Sequence, residues 1–331
     1  MTPKVSVLMP VFNRAAFLPE AVASVLGQSA GDLELIVVDD GSTDGTAAVL
    51  DAVRDPRVHI LRQDHRGISA AMNTGLRAAR GRYVARLDSD DVWFAELLER
   101  TTATLDAEPG VGVVYTRAQA MSAGGAPREH HVGLPLRDPT DALLSLLWGD
   151  ATCNITAVAR RACLEEAGGW NESLRTHEDW DLWLRVARRH RFEFLPVTLA
   201  RFREHEGGIT NPASPRFVEH IESRVRVLDT LYAAPDLPAR VRAFRPTAYR
   251  NVHTEIGLFL LDNRHWRRAL AAFRRAVVAG GPASLVRILW FTAGVRTLRR
   301  FSAGRRLLQL QAAVRHRLRA RRPPGRGVGI R

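Results

Sequence analysis

Cysteine and lysine are scarce in this chain, and long apolar runs are missing. Its 331 residues hold two cysteines, Cys153 and Cys163, and no C-x-x-C pair. That is too few for a disulfide framework and the wrong spacing for a zinc cage, so both read as buried thiols in a reducing compartment. There is one lysine, Lys4. No stretch approaches the ~20 apolar residues of a membrane helix, and the longest late candidate, Ala283 to Gly294, is broken by Arg287. The N-terminal residues pass directly into an apolar run ending at Pro10, without the pattern of a secretory leader. These absences together predict a cytoplasmic protein. Acid is missing from one end: Arg296 to Arg331 contain twelve arginines and no Asp or Glu, which leaves the body near neutral despite a net charge of +13. That tail has one aromatic residue, Phe301, and the body carries no matching basic excess, which argues against nucleic acid as a partner.

What the chain has instead is acid at the ends of apolar runs. Tyr83-Val84-Ala85 leads into Arg86-Leu87-Asp88-Ser89-Asp90-Asp91. Three carboxylates so close together are costly without a cation, and an all-oxygen set favours Mg²⁺ or Mn²⁺, which keep waters and take phosphate oxygens as well. A second run, Glu34-Leu35-Ile36-Val37-Val38, ends in Asp39-Asp40 and a Gly-rich turn, with a helix expected from Thr43 or Asp44. A third, Lys4 to Met9, closes at Pro10. Continuous apolar runs read as parallel strands buried on both faces, and open α/β sheets bind ligands beyond the carboxyl ends of such strands. The ends at Pro10, Asp39 and Asp88 are therefore expected side by side in one crevice.

Ordered segments now extend this pattern. They are Met9 to Arg14, Ser24 to Ser29, Val38 to Thr46, Asn73-Thr74-Gly75, Gly81-Arg82-Tyr83, Leu87 to Asp91 and His177-Glu178-Asp179-Trp180-Asp181-Leu182-Trp183. Over roughly residues 4 to 210 the chain resembles the family 2 glycosyltransferases, inverting nucleotide-sugar enzymes of the GT-A fold. The resemblance implies an α/β fold: a Rossmann-like nucleotide-diphospho-sugar transferase sheet flanked by helices. It implies a donor-binding set of Pro10, Val11, Asn13, Asp39, Asp40, Arg66 and Asp88, with Asp40 accepting the imide N–H of a uracil or thymine base. It makes Asp90 the principal ligand of a divalent metal, Mn²⁺ or Mg²⁺, with Asp88 and His205 beside it. Asp179 becomes the general base, with Glu178 as its neighbour. Asn73 is expected to be structural, Arg203 to offset leaving-group charge, and Trp170 and Trp180 either to stack on sugar rings or to join the core. The implied reaction is single-displacement transfer from a UDP- or dTDP-sugar to a hydroxyl of a saccharide or lipid-linked acceptor, in envelope or surface glycan synthesis. The nucleophile pattern of haloacid-dehalogenase-like phosphatases also fits Asp88 to Val92, but it needs a later catalytic lysine that the chain lacks.

The organisation expected is a GT-A domain over residues 1–215, with a donor half to about 120 and an acceptor half beyond it. A helical extension follows over 216–295, then the Arg-rich tail over 296–331. Ser122 to Asp138 reads as a loop crossing the site. Ile221, Val225, Leu228 and Leu231 follow helical spacing, and Asn263 to Ala279 resembles half of a tetratricopeptide-like pair. Leu298, Phe301, Leu307, Leu308, Leu310 and Val314 lie among the tail's arginines as in a basic amphipathic helix. Such a helix suits an anionic surface, here the inner face of the cytoplasmic membrane. The competing reading is a lapsed GT-A domain serving as a membrane- or partner-binding protein through this tail. The complete set Asp40, Asp88, Asp90 and Asp179 argues against it.

Overall fold

The computed structural model describes residues 2–149, 152–208 and 217–281. The tail from 296 lies outside these residues. The strands are β1 Val5–Val11, β2 Leu33–Asp39, β3 Val58–Arg62, β4 Tyr83–Arg86, β5 Val92–Trp93, β6 Val111–Ser122, β7 Pro127–Val132, β8 Val158–Arg160 and β9 Arg191–Glu204. The helices are α1 Leu18–Leu26, α2 Thr46–Asp51, α3 Ile68–Ala78, α4 Leu97–Ala107, α5 Ala142–Trp148, α6 Arg161–Glu166, α7 Glu178–Val186, α8 Phe217–Ala233, α9 Ala239–Asp262 and α10 Trp266–Gly280.

One mixed sheet organises the first compact unit, Met1–Asn251; its order is β3-β2-β1-β4-β8-β6-β9-β5, with β7 paired to β6. β1 and β2 are buried at every position, as strands covered on both faces must be. β3, β2, β1 and β4 run parallel, with Val11 opposite Asp39 and Leu8 opposite Arg86. The chain segments that leave these strands, Phe12-Asn13, Asp40-Gly41 and Leu87-Asp88, therefore emerge along one rim. This is the crevice expected from the sequence. β5 runs antiparallel to β9 with Val92 opposite Arg201. That register brings residues 203–205 back over the Asp88–Asp91 turn.

Two expectations need correction. Ser122 to Asp138 is not a plain loop: Pro127–Val132 forms β7, a fully exposed strand paired with β6. The β-branched and polar residues at 128–132 can fill a solvent-facing edge strand without apolar alternation. The helix after Asp40 begins at Thr46, not at Thr43 or Asp44. The Asp44 carboxylate accepts from the Thr46 N–H at 2.9 Å and from the Ala15 N–H at 3.2 Å. This local turn satisfies the donor ahead of the helix and delays its start.

Cys153 and Cys163 are free and buried, as expected. Ile221, Leu228 and Leu231 are buried on α8, and Val225 is half-buried. In the second unit, which starts at Val252, Gly257 leaves room for the Phe273 ring; a Cβ there would meet it at 2.4 Å. Ala269 and Ala276 are buried while Trp266 is exposed. No described helix is long and apolar enough to cross a membrane.

Candidate active site

The turn after β1 is tied to the turn after β2. Asn13 adopts φ 54°, its N–H donates to Ser42 Oγ at 3.0 Å, and its Oδ1 accepts from the Thr43 N–H at 2.8 Å. Asn tolerates this left-handed backbone better than most residues. Pro10 and Val11 lie within β1 beside Val38 and Asp39. The Asp39 carboxylate accepts from the Ser42 N–H at 3.0 Å. Asp40 is buried, and its carboxylate is filled by the loop after β3. It accepts from the Arg66 N–H at 2.9 Å, the Gly67 N–H at 2.8 Å and the Gln63 amide at 2.7 Å, with His65 Nδ1 2.9 Å away. Arg66 thus serves Asp40 through its backbone, while its guanidinium reaches Glu172 at 2.8 Å.

The acidic turn divides its carboxylates among different partners. Asp90 Oδ2 lies 2.9 Å from Arg14 Nε and 3.0 Å from His205 Nε2. Burial pushes the Asp90 carboxyl up, but His205 and Arg14 outweigh it and hold it below the usual carboxylate range. Asp91 is buried and accepts from the Arg203 N–H at 2.8 Å. Burial, together with the charges of Asp90 and Asp88, raises its carboxyl well above the ordinary value. The Arg203 side chain is buried as well. Its Nε donates to the Asp90 carbonyl at 2.9 Å, one Nη to the Ala123 carbonyl at 2.8 Å and the other to Glu20 at 2.5 Å. Arg203 therefore fixes the backbone of the turn.

Asp88 turns the other way. Its Oδ1 accepts from Arg86 Nε at 2.7 Å, and Arg86 Nη1 donates to Glu178 Oε1 at 2.9 Å. The Asn154 amide, with its oxygen turned inward, lies 3.0 Å from both Nε and Nη1 of Arg86. Arg86 is 6% exposed. Despite that burial, the charges of Asp88, Glu178 and Asp179 keep it firmly protonated. One cation cannot neutralise three acids. Burial, with the charge of Asp179 adding to it, pushes Glu178 up to about 7 against the pull of Arg86.

Glu178 and Asp179 open α7, where acids suit the helix's positive end. Glu178 is buried and committed to Arg86, whereas Asp179 is half-buried, with Oδ1 accepting from the Trp180 N–H at 2.7 Å. The preceding His177 has φ 57° and stacks on His220 of α8, ring centroids 4.4 Å apart. His177 Nδ1 lies 2.9 Å from Ser223 Oγ. Burial, His220 and Arg224 lower His177 to about 2, so it stays neutral.

The structure brings Asp90 and His205 together but directs Asp88 to Arg86. Trp170 and Trp180 are core residues, 4% and 0% exposed. Asn73 is structural, as expected: its Nδ2 donates to the Trp170 carbonyl and its Oδ1 accepts from the Trp170 N–H, both at 2.8 Å. Sequence reasoning missed Arg14, Arg86 and the His177–His220 stack. The signal for Arg86 was a cation inside an otherwise apolar strand; His220 gave none.

Among the described residues, no three His, Cys, Asp or Glu side chains surround one point. Asp90 and His205 nevertheless fit a divalent ion. They supply adjacent oxygen and nitrogen donors beside the rim, and the remaining positions suit water and diphosphate oxygens.

The fold is that of the GT-A glycosyltransferases. Residues 6–166 match the family model described as glycosyl transferase family 2. Bacillus subtilis TuaG, named for a glycosyltransferase role in teichuronic acid biosynthesis, is 33% identical over 196 residues, covering 56% of this chain and 73% of that protein. Escherichia coli chondroitin synthase is 27% identical, but the chain spans only 28% of its length. The mannosyltransferase PcManGT from Pyrobaculum calidifontis, solved with GDP-Man and Mn²⁺, aligns with a TM-score of 0.59 at 22% identity, over 94% of this chain and 85% of that one. S. aureus TarS 1-349 with UDP-GlcNAc aligns at 0.60 and 19% identity, over 85% and 82%. The chain belongs to glycosyltransferase family 2.

Proposed function

We propose that the protein is a metal-dependent, inverting glycosyltransferase that moves a sugar from a UDP- or dTDP-sugar to a hydroxyl of a saccharide or lipid-linked acceptor in envelope or surface glycan synthesis. The observation that carries the mechanism is the division of labour around Arg86. Glu178 is buried on Arg86 at 2.9 Å, which leaves Asp179 as the acid at the mouth of α7. Asp179 takes the proton from the acceptor hydroxyl as its oxygen attacks the anomeric carbon. With one carboxylate acting as base and none placed as nucleophile, a single displacement inverts that carbon. Asp90 and His205 would hold the divalent ion, which when bound supplies charge neutralisation for the departing diphosphate. Arg14 lies beside Asp90 and can add positive charge to the same leaving group, while Arg203 keeps the turn in place. Asp40 reads the base, and Asp39 and Asn13 hold the turns that frame it.

The naming of TuaG for teichuronic acid synthesis supports an envelope acceptor, and the basic tail at 296–331 supports work at an anionic membrane surface. The decisive assay follows sugar transfer or donor hydrolysis in EDTA, after restoring Mn²⁺ or Mg²⁺, and in Asp90→Asn. Activity should vanish in EDTA and in the variant, and return with metal only in the native protein. Full activity in EDTA would remove the metal from the mechanism. For the tail, co-sedimentation with phosphatidylglycerol-rich vesicles should be salt-sensitive and lost on truncation after Gly294; equal binding by both chains would end that reading.

A further inference from the structure

The nucleobase reader is already occupied. A carboxylate offers about four hydrogen-bonding positions; three of those of Asp40 are taken and the fourth is covered by His65. Oδ1 accepts from the Gln63 amide and the Arg66 N–H, and Oδ2 accepts from the Gly67 N–H; His65 Nδ1 hydrogen-bonds the Asp40 main-chain carbonyl at 3.1 Å and lies 2.9 Å from Oδ2, over its remaining position. Three of these partners are fixed. Two are backbone groups of a loop pressed onto Gly41, where a Cβ would meet the His65 N at 2.9 Å. Gln63 is gripped at both ends: its N–H donates to the Asp39 carbonyl at 3.0 Å and its Oε1 accepts from Thr74 Oγ1 at 2.7 Å. The fourth partner is different. The His65 side chain is 49% exposed while Asp40 is 4% exposed. Its ring stacks on Phe12, centroids 4.1 Å apart and 25° from parallel, and Phe12 is itself 37% exposed. A flat ring that sets a nitrogen 2.9 Å from the Asp40 carboxylate and a face on Phe12 fills the place a pyrimidine base would take.

We propose that His65 is a displaceable placeholder for the donor base: the imidazole holds the Asp40–Phe12 slot until the nucleobase enters, and then swings out. This rests on the reading of Asp40 as the base-binding acid. Each nucleotide bound must then replace one hydrogen bond and one stack with its own, so His65 sets how tightly the base is held and which rings compete well enough to enter. A base with an N–H flanked by carbonyls keeps Asp40 satisfied. One that offers only acceptors there leaves the carboxylate facing another acceptor and does not displace the ring.

The experiment measures UDP binding to the full chain by calorimetry, in the native protein, His65→Ala, Asp40→Asn and the double variant, with CDP as the ring that lacks the imide N–H. His65→Ala should bind UDP about 3–10-fold more tightly, the loss of one competing hydrogen bond and its stack. CDP should gain less. In the native protein, the His65 ring protons, shifted by the Phe12 face, should move to unstacked positions in NMR spectra as UDP is added. Unchanged or weaker UDP binding by His65→Ala overturns the proposal, as does a His65 ring that stays stacked with UDP bound. The underlying reading fails separately: if Asp40→Asn leaves UDP affinity unchanged, Asp40 is not the base reader, whatever His65→Ala does.

Discussion

Asp90 and Asp179, the residues proposed to serve the metal and the acceptor, sit in contrasting company. Asp90 lies between Arg14 and His205, with Arg203 bracing its backbone. Asp179 lies beside the buried Glu178, near a shared Arg86 and a stacked pair of neutral imidazoles. On the first side the cations hold a carboxyl below its usual range; on the second, burial lifts Glu178 to about 7. A carboxylate that serves a metal must stay charged, whereas a buried acid that one shared cation does not fully compensate can hold a proton near neutrality, as Glu178 does. The arginines thus give the two acids different electrostatic surroundings, as the proposed mechanism requires.

The sharpest way to break the comparison is to neutralise the two acids of α7 in turn. Asp179→Asn should lower turnover by about 10²–10⁴-fold, the loss of a positioned base, and leave UDP affinity intact. Glu178→Gln should cost about tenfold or less, because the amide oxygen can still accept from Arg86. Steady-state transfer assays with parallel UDP titrations distinguish them. If Glu178→Gln is the crippled enzyme, the roles are reversed.

Arg86 joins the two sides, and removing it is the next largest effect. Arg86→Met leaves Asp88 and buried Glu178 facing each other without their cation. Breaking a buried pair in this way costs about 3–5 kcal/mol, and Glu178's ready protonation places the expected loss near ~3 kcal/mol. Arg86→Lys keeps the charge but not the fork that spans both acids, and should fall between. Urea unfolding midpoints provide the measurement. A loss below ~1 kcal/mol for Arg86→Met would mean that the bridge is incidental.

How much of this was legible follows the same division. The donor rim is written locally: an acid directly after an apolar strand needs no partner from elsewhere to be noticed, and the parallel register places Asp39 and Asp88 where the sequence pattern expects them. The cations were not legible. In so arginine-rich a chain, nothing local marks Arg14 as different from a surface residue, because its role comes from a contact 76 positions away; Arg203, expected to offset leaving-group charge, instead spends its guanidinium on the Asp90 and Ala123 carbonyls and Glu20. His65 was overlooked for the same reason. Its neighbour Arg66 drew attention by its charge, yet only its backbone reaches Asp40.

On the metal side, His205→Ala tests whether the contact with Asp90 is a ligand pair or only a hydrogen bond. Removing it should weaken Mn²⁺ binding by about 10–100-fold, judged by the effect of shell substitutions at metal sites, while Phe17→Leu, which loses a ring packed against both His205 and the Arg203 guanidinium but no donor, should change it less. Electron paramagnetic resonance of free Mn²⁺ reads both. Identical affinity in His205→Ala would leave Asp90 as the sole protein donor.

The smallest expected effect belongs to His177, and it distinguishes the two sides by pH. Its folded value is depressed from 6.5 to about 2, by burial first and then by His220 and Arg224. The native state therefore refuses a proton that the unfolded chain accepts below pH 6.5. Stability from this group is intact above that value and falls as the pH drops through it. Full exclusion costs about 1.4 kcal/mol per pH unit, and partial solvent access at the ring brings the expected loss at pH 5 to about 1–2 kcal/mol. His177→Asn removes the titration while keeping a residue that tolerates φ 57° at the start of α7. Urea unfolding at pH 7 and pH 5 should show a smaller acid penalty in the variant, with His220, also lowered by burial, retaining part of it. If the native protein and His177→Asn lose the same stability between these pH values, the imidazole stack opens before it titrates, and the acceptor side is less insulated than its packing implies.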